Sequence, residues 1–68
     1  MGEDKVDEAL EIFKLNTRMY SGSSNTFDSL GEAYLKKGDK KSAYAAYKKA
    51  LDIDPENLNA AKMIEKID

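Results

Sequence analysis

The chain has 68 residues and contains no cysteine and no histidine, which removes disulfides, thiolate zinc sites, cysteine nucleophiles and the usual general base near neutral pH. Eleven Lys and Arg against thirteen Asp and Glu leave a net charge of −2, so no global field draws the chain to nucleic acid or anionic lipid. A domain of this size buries only roughly 60% of the surface its unfolded chain exposes, and no run of about 18 apolar residues offers a membrane span.

Val6, Ala9, Leu10, Phe13, Thr17 and Tyr20 recur at three- and four-residue steps, the period of a helix with one buried stripe. This predicts a first helix over 5–20. Ser21-Gly22-Ser23-Ser24-Asn25 interrupts it with flexible backbone and side-chain acceptors, and Asn25 with Asp28 reads as a capping box for a second helix. Its stripe is Phe27, Leu30, Gly31 and Tyr34, and Lys36-Lys37-Gly38 ends it, since cations suit a helix C-terminus and glycine the left-handed residue beyond it.

Asp39 caps a third helix striped by Ala43, Tyr47, Ala50 and Leu51, which Asp54-Pro55 halts near Ile53. Asn57 opens a last helix with Ala60, Met63, Ile64 and Ile67 on one face. Four helices joined by turns of two to five residues imply antiparallel neighbours and an all-α fold.

Phe27, Leu30, Gly31, Tyr34, Gly38, Asp39, Ala43, Tyr47, Ala50 and Pro55 stand at fixed offsets within residues 24–57. This stretch resembles a complete tetratricopeptide repeat of 34 residues. Gly31 and Ala43 are expected at a close crossing of helices two and three, with Tyr34 and Tyr47 above and below it. A shift of 34 sets Ala9 against Ala43 and Phe13 against Tyr47, so residues 1–23 resemble the second half of a preceding repeat. Asn16 and Ser21 there depart from the family's alanine and proline. Ile64 lines up with Leu30, while Glu65 replaces Gly31, as expected if residues 58–68 cap the array. The implied architecture is a short right-handed solenoid of antiparallel hairpins, one and a half repeats plus a cap. The stretches Glu8 to Thr17 and Asp28 to Tyr34 also resemble repeat tails behind bacterial serine-hydrolase or esterase-type domains, and a consensus-like engineered repeat fits equally.

Other clusters weigh less. Glu3, Asp4, Asp7, Glu8 and Glu11 suit a helix N-terminus better than a metal or acid/base site. Asp52 to Asn57 lacks the glycine and glutamate of a calcium loop, with Met63 at the latter place. Lys36, Lys37, Lys40 and Lys41 flank a turn without interleaved aromatics, and Arg18 is the single arginine, so base or phosphate recognition is not expected. Tyr44 lies one residue off the third stripe.

The resemblance implies a non-catalytic scaffold, without metal or cofactor, that binds a protein or peptide. Its concave side would carry Asn25, Asp28, Ser29, Glu32, Leu35 and Lys36. Family members that grip a peptide C-terminal carboxylate use lysine and asparagine where Asp28 and Glu32 stand, so that clamp is absent. An acidic floor of Asp28 and Glu32 would instead prefer a basic segment, with Leu35 giving apolar contact. Ala9 and Phe13 would lack the helix that covers them in a full array, so a homo-oligomer through the N-terminal helix is expected. The alternatives are a self-assembling structural unit with no external ligand and an accessory tail of a hydrolase. A cytoplasmic location is expected from the lack of an apolar signal near Met1.

Overall fold

A computed structural model describes the backbone of residues 2–67 and the side chains of residues 5–67. The chain is all-α, with α1 over Gly2–Met19, α2 over Ser24–Lys37, α3 over Lys40–Ile53 and α4 over Leu58–Ile67. Each helix packs on the next in chain order, and no strand occurs among the described residues. Glu3 and Asp4 of the N-terminal acidic cluster lie outside the described side chains.

Local chemistry sets these limits. After α2, Gly38 adopts φ 88, a left-handed conformation that costs glycine nothing. Its N–H donates to the Leu35 carbonyl and that of Asp39 to the Tyr34 carbonyl, the pair of bonds that satisfies the last orphan acceptors of a helix. Asp39 then accepts from the Ser42 N–H at 3.1 Å and caps α3, as its sequence position suggested. Asn57 does the same for α4, its Oδ1 accepting from the Ala60 N–H at 3.1 Å. The capping box expected of Asn25 and Asp28 does not form. Ser23 holds the cap position of α2 without a side-chain bond, and Asn25 is already inside the first turn, where it no longer reaches the orphan N–H groups.

The turn after α1 is repeated after α3. Tyr20 N–H donates to the Asn16 carbonyl and Ser23 N–H to Tyr20, while 34 residues on Asp54 N–H donates to Ala50 and Asn57 N–H to Asp54. Helix ends Met19 and Ile53, and helix starts Ser24 and Leu58, keep the same offset. The α1–turn–α2 unit is therefore built as the α3–turn–α4 unit is.

Two apolar clusters make the core. Leu10, Leu30, Ala33 and Ala46 join α1, α2 and α3, with Val6, Phe13 and Tyr34 packed against them. Ala43, Tyr47, Ala50 and Ala60 join α3 to α4, with Phe27, Tyr34 and Leu35 of α2 and Met63, Ile64 and Ile67 of α4 packed around them. Tyr47 is the largest side chain fully enclosed, at 1% exposure. The side chain nearest Gly31 is Tyr47: a Cβ built on Gly31 would stand 2.8 Å from Cε2 and Cζ of its ring, so the missing methyl makes room for an aromatic face.

A polar network ties the same region together. Asn57 Nδ2 donates to Ser24 Oγ at 2.7 Å, and that hydroxyl donates to the Ala50 carbonyl at 2.9 Å. One chain of bonds thus joins the start of α2, the end of α3 and the turn before α4. At the other end, Lys37 Nζ meets Asp7 Oδ1 at 2.6 Å across α1 and α2. That contact raises the Lys37 pKa, first through the hydrogen bond and then through the charge of Asp7, but both groups are half exposed and such pairs stabilise little.

Gly31→Leu is expected to overpack the Tyr47 ring and cost about 1–3 kcal/mol, while Glu65→Leu on the exposed face of α4 is expected to change stability by under about 0.5 kcal/mol. Thermal unfolding of the two variants beside the parent checks this, and equal shifts would refute the placement of Gly31.

Candidate functional site

The α1–α2 packing leaves a cleft of about 300 Å³. Val6, Ala9, Phe13 and Ala33 line its apolar part, and Lys5, Ser29, Glu32 and Lys36 its polar part. The walls follow from helix geometry: Val6, Ala9 and Phe13 succeed one another at three- and four-residue steps on α1, and on α2 Glu32 and Ala33 lie three and four residues after Ser29, with Lys36 three after Ala33. The cleft therefore brings together two sets of residues that the sequence kept apart: Ser29, Glu32 and Lys36, expected to face a peptide, and Ala9 and Phe13, expected to face another copy.

The remaining candidates lie elsewhere. Asp28 accepts from Asn59 Nδ2 at 2.7 Å, which turns its carboxylate toward α4. Asn25 is exposed one turn before Ser29. Leu35 is half buried against the Ala43, Tyr47, Ala50 and Ala60 cluster, so it serves the α2–α3–α4 core and not the cleft. Glu32 and Lys36 stand 3.8 Å apart, and each keeps about two thirds of its side-chain surface in water. The acidic floor is thus partly balanced from within.

Sequence reasoning missed Lys5 and Ala33 as wall residues and Asn59 as the partner of Asp28. Val6 was legible only as part of a core stripe. The signal for Ala33 is its place four residues after Ser29, on the same face of α2. For Asn59 there is none, because the contact joins helices 31 residues apart. Tyr44 is 36% exposed and lines an open hollow with Lys40, Lys41 and Ile67 beside α4. Among the described residues no three carboxylates gather to hold a metal ion, and no helix is long and apolar enough to cross a membrane.

A comparison with protein-family models matches residues 29–57 to the tetratricopeptide repeat. That segment is a tetratricopeptide repeat. The matched span takes in most of α2 and all of α3, and with it Gly31, Gly38, Tyr47 and Pro55. Comparisons with curated proteins and with solved structures return no match. Repeats of this kind serve in general as protein-interaction units.

The Tyr47 hydroxyl of the repeat has its pKa pushed up to about 12 from 10.0, by burial first and then by the charges of Asp28 and Glu32. An acid whose folded pKa is raised contributes stability that is fully present below its unfolded pKa and is lost as pH rises through the folded one. Stability is therefore expected to fall from pH about 10 upward and to reach its full loss, of order 2–3 kcal/mol, near pH 12. Urea unfolding across that range checks it, and Tyr47→Phe should flatten this part of the profile while Tyr44→Phe leaves it unchanged.

Proposed function

We propose that the chain is a non-catalytic module that holds a protein or peptide segment in the cleft between α1 and α2. The observation that carries this is the convergence of Ala9 and Phe13 with Ser29, Glu32 and Lys36 on one concavity: an apolar wall supplies burial, and a polar edge supplies orientation. Residues 1–23 act as the second half of a preceding repeat, 24–57 as the complete one and 58–68 as its cap. A basic segment suits Asp28 and Glu32, although Asn59 and Lys36 already engage these carboxylates. The favoured ligand therefore places an apolar side chain in the cleft first and a cation beside Glu32 second.

In an amide-shift titration, a Lys-containing peptide with one large apolar residue is expected to perturb Ala9, Phe13, Ser29 and Glu32. The same peptide with Glu for Lys should bind several-fold more weakly. Equal shifts from both peptides, or shifts centred on Lys40 and Lys41, would show the charge preference or the surface to be wrong.

Self-association through α1 is supported by a separate observation. Ile12, Leu15, Met19 and Tyr20 are each more than half exposed, an apolar stripe large enough to favour contact with a second copy. Sedimentation over a hundredfold range of concentration is expected to show mass rising with concentration and falling again in Leu15→Ser. A constant monomer mass overturns this reading.

A further inference from the structure

The described residues form two hairpins of the same build, and one of them is covered by a third helix. The α1–turn–α2 and α3–turn–α4 units share the helix limits on either side of the turn and the turn hydrogen bonds at an offset of 34 residues. On the second unit α2 lies across α3: Gly31 admits the Tyr47 ring, Leu35 packs against the cluster of Ala43, Tyr47 and Ala60, and Asp28 accepts from Asn59 of α4. The same offset carries Ala43 to Ala9, Tyr47 to Phe13 and Asn59 to Asn25. Ala43 and Tyr47 are at most 1% exposed, whereas Ala9 and Phe13 are only half buried and Asn25 is exposed. The cleft is thus the vacant counterpart of a seat that α2 fills elsewhere in the same molecule.

We propose that the occupant of the cleft is an α-helix of another polypeptide carrying Asp, then Gly three residues later, then Leu four residues after that, the spacing of Asp28, Gly31 and Leu35. This rests on the reading of the cleft as a binding site and specifies what it takes. Gly lies on the Phe13 ring, because any Cβ there meets ring atoms as it would on Tyr47. Leu enters between Ala9 and Ala33, and the Asp carboxylate receives the free Asn25 amide. Orientation follows from charge. A helix set on α1 as α2 is set on α3 brings its C-terminal end to the start of α1, where Lys5 stands at the cleft edge, and a cation stabilises the carbonyl end of a helix. The seat is also continuous with the existing core, since Val6, Phe13 and Ala33 already belong to the Leu10 and Leu30 cluster. The fourth helix of a second copy does not fit it, because Glu65 occupies the position of Gly31 and would drive a side chain into Phe13.

The probe is a synthetic peptide of the α2 sequence, residues 24–39, added to the 68-residue chain. Amide shifts at Ala9, Phe13, Asn25 and Ala33 are expected, with the peptide becoming helical when bound. The Gly31→Leu peptide should bind at least about tenfold more weakly, or about 1.4 kcal/mol, even though leucine is the better helix former, so that lost helicity does not explain the loss. Leu35→Ala in the peptide and Phe13→Ser in the chain should each weaken binding as well, Phe13→Ser being checked for retained helicity by circular dichroism. Equal affinity of the parent and Gly31→Leu peptides overturns the proposal, as does a chain whose Phe13 is already covered by a second copy. A silent helix beside a binding Lys-containing extended peptide overturns it too, while leaving the cleft as a binding site; silence of both removes that reading as well.

Discussion

The contact between Gly31 and the Tyr47 ring is the constraint on which the packing depends. Because a methyl group at residue 31 would lie 2.8 Å from ring atoms, the position admits no side chain unless the ring, which is 1% exposed, shifts. Glycine in the middle of a helix is destabilising by about 0.5–1 kcal/mol relative to alanine. That cost is offset by the burial of a tyrosine, whose apolar body contributes roughly 1.5–3 kcal/mol. The exchange also sets how closely α2 approaches α3, and with it where Tyr34 and Leu35 meet the Ala43 and Ala60 cluster.

Polar chemistry works at the edges of that contact. Ser24, Asn57 and the Ala50 carbonyl close the far end of the α2–α3 pair, while Gly38 and Asp39 close the near end. The bonds made by Ser24, Asn57, Gly38 and Asp39 give these turn groups partners, which avoids the desolvation cost of an orphan polar group. The turns are consequently sites where backbone direction is determined. This is why the same turn, repeated 34 residues apart, reproduces the same hairpin even though its residues differ: Tyr20 to Ser23 in one copy, Asp54 to Asn57 in the other.

A repeated hairpin also has a repeated appetite for a covering helix. Where α2 answers it, Ala43 and Ala50 are sealed from water. Where none of the described helices answers it, Ala9 and Phe13 remain half buried and Ile12, Leu15 and Met19 stay exposed. Water left on such a face forgoes roughly 25 cal/mol for each Å² that a partner would cover. The proposed interaction role of the module draws on this apolar face as much as on any single polar side chain.

Helix number, helix limits and the identity of the repeat were determined by local patterns in the sequence. The apolar steps of Leu30, Tyr34, Ala43 and Tyr47, the Lys37-Gly38-Asp39 stop and start, and Pro55 act within a few residues of themselves, so they are readable without knowing what lies across the core. Capping was less legible, since Ser, Asn and Asp crowd together between Ser23 and Asp28, and Ser23 takes the cap position without a side-chain bond. The tertiary structure alone decided the pairings: the Tyr47 ring against Gly31, Asn59 on Asp28, Leu35 beside the Ala43 and Tyr47 cluster, and the merging of Ala9 and Phe13 with Ser29, Glu32 and Lys36 in one cleft. Each of these joins helices across the fold, where the angle and offset of packing, and not the order of residues, choose which side chains meet.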